Sequence, residues 1–178
     1  MYGECGEWRR NALEKIRETR PLLTVMASSE DYTFPDAEWR DGISKVVSTL
    51  AESSQNVLVL RDNPYADFDV PTCLARRAWR PTFMPSPPCD FRVSFKPNVY
   101  GYERLAVLPH PNVTLVDLSS SICPDAVCRV ERDGLILFRD SNHLTASFVN
   151  TLQERLSEEV DKVLRHDATS DVSTPTFH

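Results

Sequence analysis

Three short apolar runs constrain this chain more than anything else in it. LLTVM (22–26), NVLVL (56–60) and NVTLVDL (112–118) are mostly continuous rather than alternating. A strand with one face in water alternates apolar and polar residues; a strand covered on both faces does not. Helical patterns stand between the runs. EWRRNALEKIRETR (7–20) sets Trp8, Ala12, Leu13 and Ile16 on one stripe and stops at Pro21. PDAEWRDGISKVVSTLAESS (35–54) opens on Pro35, which suits a first helical turn, and points Ile43, Val46, Val47 and Leu50 to one side. Residues 98–110 hold a short helix, LILF (135–138) is a short fourth strand, and 145–165 form a last helix. That last helix spaces Phe148, Leu152, Leu156, Val160, Val163 and Leu164 for a core. Strands alternating with helices predict an α/β fold with a parallel sheet and helices on both faces. Chemistry in such sheets sits on loops at the carboxyl ends of the strands. Here those loops are ASSEDY, RDNPY, SSSICPDAVC and the turn after LILF.

Length and charge narrow the function. The 178 residues suit one domain over 1–166, followed by a polar tail, 167–178, that reads as disordered. Between the second strand and the short helix, 65–96 is rich in Pro, Arg and aromatics and reads as an elaborated surface loop. A net charge of -6 gives no basic footprint, so no nucleic-acid partner is expected. No run reaches the roughly 18 apolar residues of a membrane helix, and MYGECGEWRR holds no signal-peptide core, so the chain shows no targeting signal.

There are five cysteines. Cys73 and Cys89 bracket CLARRAWRPTFMPSPPC, and Cys123 and Cys128 bracket CPDAVC. Each pair reads as a disulfide staple, which points to an oxidising compartment. Cys5 is left over. A metal site from Cys123, Cys128 and His143 has too few ligands and no recognised spacing, so neither metal nor cofactor is expected.

The densest polar feature is the turn in FRDSNHLTASF (138–148), where Asp140 and His143 stand three apart. In a turn, residues so spaced lie side by side. The carboxylate then accepts from the imidazole Nδ1–H and leaves Nε2 outward as a base. The plainer reading is that Asp140 or Ser141 caps the following helix and His143 is a surface residue. Elsewhere, Ser119–Ser121 read as a solvated loop, His110 as a turn residue, and Arg76, Arg77 and Arg80 as a solvated face rather than a carboxylate clamp. Trp79 and Phe83 either stack on sugar rings or pack their loop against the body.

FRDSNHLTASF resembles the last block of SGNH hydrolases, in the form fused to membrane acyltransferase family 3 proteins. Three further stretches resemble the same family in order: CGEWRRNALEKIRETRPLLTVMASS, LVLRDNPYADFDVPTCLARR and VTLVDLSSSICPDAVC. The resemblance covers about residues 5–165. It implies a three-layer, flavodoxin-like parallel sheet and a Ser-His-Asp mechanism with Asp140 as acid and His143 as base. It implies an O-acyltransferase or esterase that moves an acetyl-type group on a cell-surface glycan. The partners would be a glycan acceptor, an acyl donor and a membrane acyltransferase domain in cis or trans. The location would be extracytoplasmic, within a membrane-anchored parent. The family's Gly-Asp-Ser nucleophile block, on its first strand, has no counterpart in this sequence. The expected fold therefore lacks its first strand, and Cys5 lacks the partner that stretch often carries. The family's oxyanion Asn is not evident either; Ser28 and Ser29 of ASSEDY stand in its place, as weak oxyanion or substrate candidates or as loop hydrogen-bonders. The alternatives are a non-catalytic remnant or glycan- or protein-binding module, and a doubly wound small-molecule or protein interaction domain of no hydrolase ancestry, which free thiols at Cys73, Cys89, Cys123 and Cys128 would support.

Overall fold

The computed structural model describes residues 3–81, 83–85, 88–95 and 98–170. The helices are α1 (Gly3–Thr19), α2 (Asp36–Ser53), α3 (Val70–Trp79), α4 (Val99–Val107), α5 (Ser119–Ile122), α6 (Ala146–Thr151) and α7 (Gln153–Ser170). The strands are β1 (Leu23–Ala27), β2 (Asn56–Leu60), β3 (Phe91–Arg92), β4 (Val113–Val116), β5 (Val127–Cys128), β6 (Glu131–Arg132) and β7 (Leu135–Ile136). The chain forms two compact units. The first takes residues up to Arg61, Lys96–Val116 and those from Glu158; the second takes Asp62–Phe95 and Asp117–Ser157.

The first unit is built on a parallel sheet in the order β1-β2-β4. Central β2 is buried along nearly its whole length, which is why its sequence does not alternate. Edge strand β1 leaves Val25 54% exposed. Trp39, Ile43, Val47 and Leu50 of α2 join Val57 and Val59 of β2 in one core with Val99, Ala106 and Val113. Asp36 and Glu38 in the first turn of α2 face the positive end of its dipole. In α1 only the C-terminal half of the expected stripe packs: Leu13 and Ile16 touch this core, while Trp8 is exposed. Nothing in the structure explains the exposed Trp8. The helix ends where Arg20 takes φ 44°, just before Pro21.

The second unit closes around Leu137, Phe138, Val130, Ile122 and Phe148. Both expected disulfides are present, Cys73–Cys89 and Cys123–Cys128, and Cys89, Cys123 and Cys128 lie inside this core. Cys5 is a free, exposed thiol. Replacing Cys73 and Cys89 together with alanine is expected to lower the unfolding free energy by about 3 kcal/mol, since the bridge closes a 16-residue separation in the unfolded chain. Chemical denaturation monitored by circular dichroism measures this, and an unmoved midpoint would show that the bridge does not limit stability.

Three local expectations change. The fourth apolar run is not in the parallel sheet. Leu135 and Ile136 pair antiparallel with Arg132 and Glu131. Asp133 and Gly134 turn between them at φ 53° and 78°, the two positive values of a type I′ hairpin. The stretch read as a surface loop holds α3. Asp69 caps it by accepting from the Thr72 N–H at 2.8 Å, and Pro71 sits in its first turn. The last helix breaks at Leu152 into α6 and α7, and α7 runs on to Ser170; residues 171–178 of the expected tail lie outside the described residues.

Candidate active site

The turn that carries Asp140 and His143 is held at its base by the core. Leu137 and Phe138 are fully buried just before it. Phe138 bridges to Leu144, the Arg139 N–H donates to the His143 carbonyl at 2.8 Å, and the Thr145 N–H donates to the Leu137 carbonyl at 2.9 Å. Residues 139–143 are thus pinned as a closed turn.

Within it Asp140 makes three contacts. Oδ1 accepts from the backbone N–H of Asn142 at 3.0 Å and of His143 at 2.7 Å. Oδ2 lies 2.8 Å from His143 Nδ1. Helix capping falls to Thr145, whose hydroxyl accepts from the Phe148 N–H at 3.3 Å. The capping alternative for Asp140 therefore does not describe this turn. The aspartate orders its own loop and orients the imidazole. His143 is 70% exposed, and its Nε2 has no hydrogen-bond partner among the described residues.

The backbone N–H of His143, then that of Asn142, hold the Asp140 carboxyl well below the usual value of 3.8, at about 2. Desolvation opposes these two bonds, and the bond to the His143 ring and its charge add smaller effects in the lowering direction. With its folded pKa depressed, Asp140 contributes stability above about pH 4 that is lost as the pH falls through about 2. A carboxyl NMR titration is expected to place its midpoint near 2, and Asp140→Asn should remove the corresponding part of the acid-side stability loss. A midpoint near 4 would mean that these bonds are absent in solution.

The segment that follows β2 grips this turn. Asn63 Nδ2 donates to the Asn142 carbonyl and, at 3.2 Å, to that of Pro64. The Ala66 N–H donates to the Ser141 carbonyl at 2.7 Å. The sequence marked this stretch only as a turn. An Asn before Pro was the available signal, but its partner is 79 residues away. Bonds from Thr72 hold the Asp69 carboxyl below its usual value, opposed by desolvation and then by the nearby charge of Asp140.

The other candidates settle individually. Ser28 and Ser29 follow β1 in the first unit, and Ser29 Oγ accepts from the Asp31 N–H at 3.2 Å, an ordinary loop bond. His110 lies in a turn and meets the Ser48 hydroxyl through Nε2 at 3.1 Å. Ser119 opens the short α5, with its N–H and hydroxyl both on Asp117 Oδ1. Among the described residues no group of His, Cys, Asp and Glu could hold a metal, and no helix is long and apolar enough to cross a membrane.

No curated protein matches the sequence. Among solved structures, the chain is similar to the periplasmic domain of the lipopolysaccharide acetyltransferase of Salmonella ser. Paratyphi A, with a TM-score of 0.63 at 14% identity. The match covers 85% of this chain and 61% of that one, so the likeness is one of fold over part of the larger domain. Residues 2–158 match the family described as the SGNH domain fused to AT3 domains. With an α/β fold of that kind and nearly nine-tenths of its length inside the match, the chain belongs to the SGNH domain family that is fused to AT3 domains.

Proposed function

We propose that this chain is part of an SGNH-type O-acyltransferase or esterase that moves an acetyl-type group on a cell-surface glycan. The observation that carries the reading is the 2.8 Å contact from Asp140 Oδ2 to His143 Nδ1, with Nε2 exposed and unpartnered among the described residues. A serine brought to Nε2 would lose its proton to the imidazole as it attacks the acyl carbonyl. His143 would return that proton to the departing donor. It would then take a proton from the sugar hydroxyl as that oxygen attacks the acyl-serine carbonyl, and return it to the serine oxygen as the ester bond to the serine breaks. Asp140 stabilises the imidazolium at each transfer.

The serine comes from outside this chain in this reading, because no Gly-Asp-Ser occurs in the sequence. The open side of β1, with Val25 half exposed, supports a further strand beside it. A membrane acyltransferase domain supplies the acyl group, in keeping with a family fused to AT3 domains. The two disulfides and the periplasmic origin of the structural neighbour support an extracytoplasmic location.

The missing motif also favours a second reading, a non-catalytic binding module. Hydrolysis of p-nitrophenyl acetate by the purified chain bears on both. No turnover above buffer is expected from the chain alone. Turnover that His143→Ala removes would place a nucleophile within these residues and overturn the assignment of the serine elsewhere. The module reading would stand if the full-length protein also transferred acetyl groups equally well with and without His143.

A further inference from the structure

We propose that the cleft along α3 binds an anionic saccharide, a sugar bearing a carboxylate or a phosphate, and delivers it beside the Asp140–His143 turn. The inference deepens the acyl-transfer reading by naming the acceptor class, and rests on that reading only for what happens after binding.

The cleft has a volume of about 510 Å³ and is lined by Phe68, Thr72, Arg76, Arg77, Arg80 and Pro88. That is within the size range of small-ligand sites. Thr72, Arg76 and Arg80 recur four residues apart, so they stack on one face of α3 and its end. Cys73 lies on the same face, and its bridge to Cys89 ties down the opposite wall at Pro88. The disulfide thereby makes a cleft from what would otherwise be a helix and a loose loop.

Its charge runs against that of the chain. The whole sequence carries -6, yet three guanidinium groups converge here. Arg77 is paired with Glu131 at 3.2 Å, and Arg80 donates to the Pro85 carbonyl at 2.7 Å. Both are thereby held in place. Arg76 makes no hydrogen bond or ion pair among the described residues. A planar guanidinium presents paired donors that match a carboxylate or phosphate. Asp69, also in the lining, has a carboxylate occupied by the Thr72 N–H at the start of α3.

A sugar is favoured over a bare anion by the aromatics. Trp79 is 89% exposed and Phe83 80% exposed. Trp79 is three residues beyond Arg76, so it neighbours Arg76 on the helix surface. An exposed indole beside a cationic cleft offers a flat apolar platform to the C–H face of a pyranose while its charged substituent meets the arginines. The cleft also adjoins the proposed chemistry: Asp69 lines it, and Ala66, three residues earlier, is bonded to Ser141.

The test is an NMR titration of the isotope-labelled chain with four probes: methyl glucuronide, glucose 1-phosphate, methyl glucoside and inorganic phosphate. One or both anionic sugars are expected to shift α3 amides, with binding weakened several-fold between about 20 and 300 mM NaCl. Whichever of the two binds more tightly identifies the charged group. Arg76→Glu, an exposed change, should weaken binding at least ten-fold, and Arg80→Gln should weaken it in the same direction. Any of three results overturns the proposal: no shifts at about 20 mM probe, equal binding of methyl glucoside or inorganic phosphate, or binding that survives Arg76→Glu. Loss of sugar binding leaves the acyl-transfer reading intact if His143→Ala still silences the full-length protein. Intact binding with an active His143→Ala protein removes that reading alone.

Discussion

On the proposed acyl-transfer reading, His143→Ala is expected to reduce acetyl transfer by a protein that carries both this chain and the serine by at least about four orders of magnitude. Removal of the base from comparable triads costs about 10⁶-fold in turnover, and the orienting aspartate about 10⁴-fold. Asp140→Asn should therefore cost less than His143→Ala, and the double variant little more than His143→Ala alone, because the two act as one unit. The imidazole is 70% exposed, so its loss should leave the melting temperature nearly unchanged. Transfer of radiolabelled acetyl to the glycan, with circular dichroism on the same preparations, separates lost chemistry from lost fold. A residual rate within ten-fold of the parent would remove His143 from the mechanism.

Phe138→Ala should be the most damaging stability change in the second unit, at about 3–5 kcal/mol. The ring is fully buried, and its centroid lies 5.3 Å from that of Phe91 at 63°, an edge-to-face contact. Phe68 extends the stack, with centroids 6.0 Å from Phe91. Alanine would leave a cavity two residues before Asp140, under the bridge from Phe138 to Leu144 that closes the turn. Urea unfolding should show the loss. In the folded fraction, the His143 ring resonances should broaden as the turn loses its floor. A cost under about 1 kcal/mol would mean that the aromatic stack does not hold this turn.

Some of this was legible from residue order and some was not. β2 was readable because burial on both faces leaves an uninterrupted apolar run. The Asp140–His143 contact was readable because it is local: a spacing of three in a turn needs no distant partner. Both disulfides followed from cysteines close in sequence. β7 was misplaced because four apolar residues look alike in a parallel sheet and in a hairpin, although Asp133–Gly134 carried the hairpin signal. α3 was hidden by the prolines, arginines and aromatics around it, even though Asp69 and Pro71 form an ordinary helix start. The Asn63 clamp and the α3 cleft depend on residues brought together by folding, so no local pattern announces them.

The two units are interleaved along the backbone, with borders at Arg61, Phe95, Val116 and Ser157. Neither is a single stretch that a cloning boundary can isolate. Expressing 62–157 to obtain the turn and the cleft would carry α4 and β4 along without α2 or β2. Val99, Ala106 and Val113 would then lose the helix and strand that bury them and face water as an adhesive stripe. Such a fragment should precipitate, and a binding or activity study of the cleft needs the two units made together.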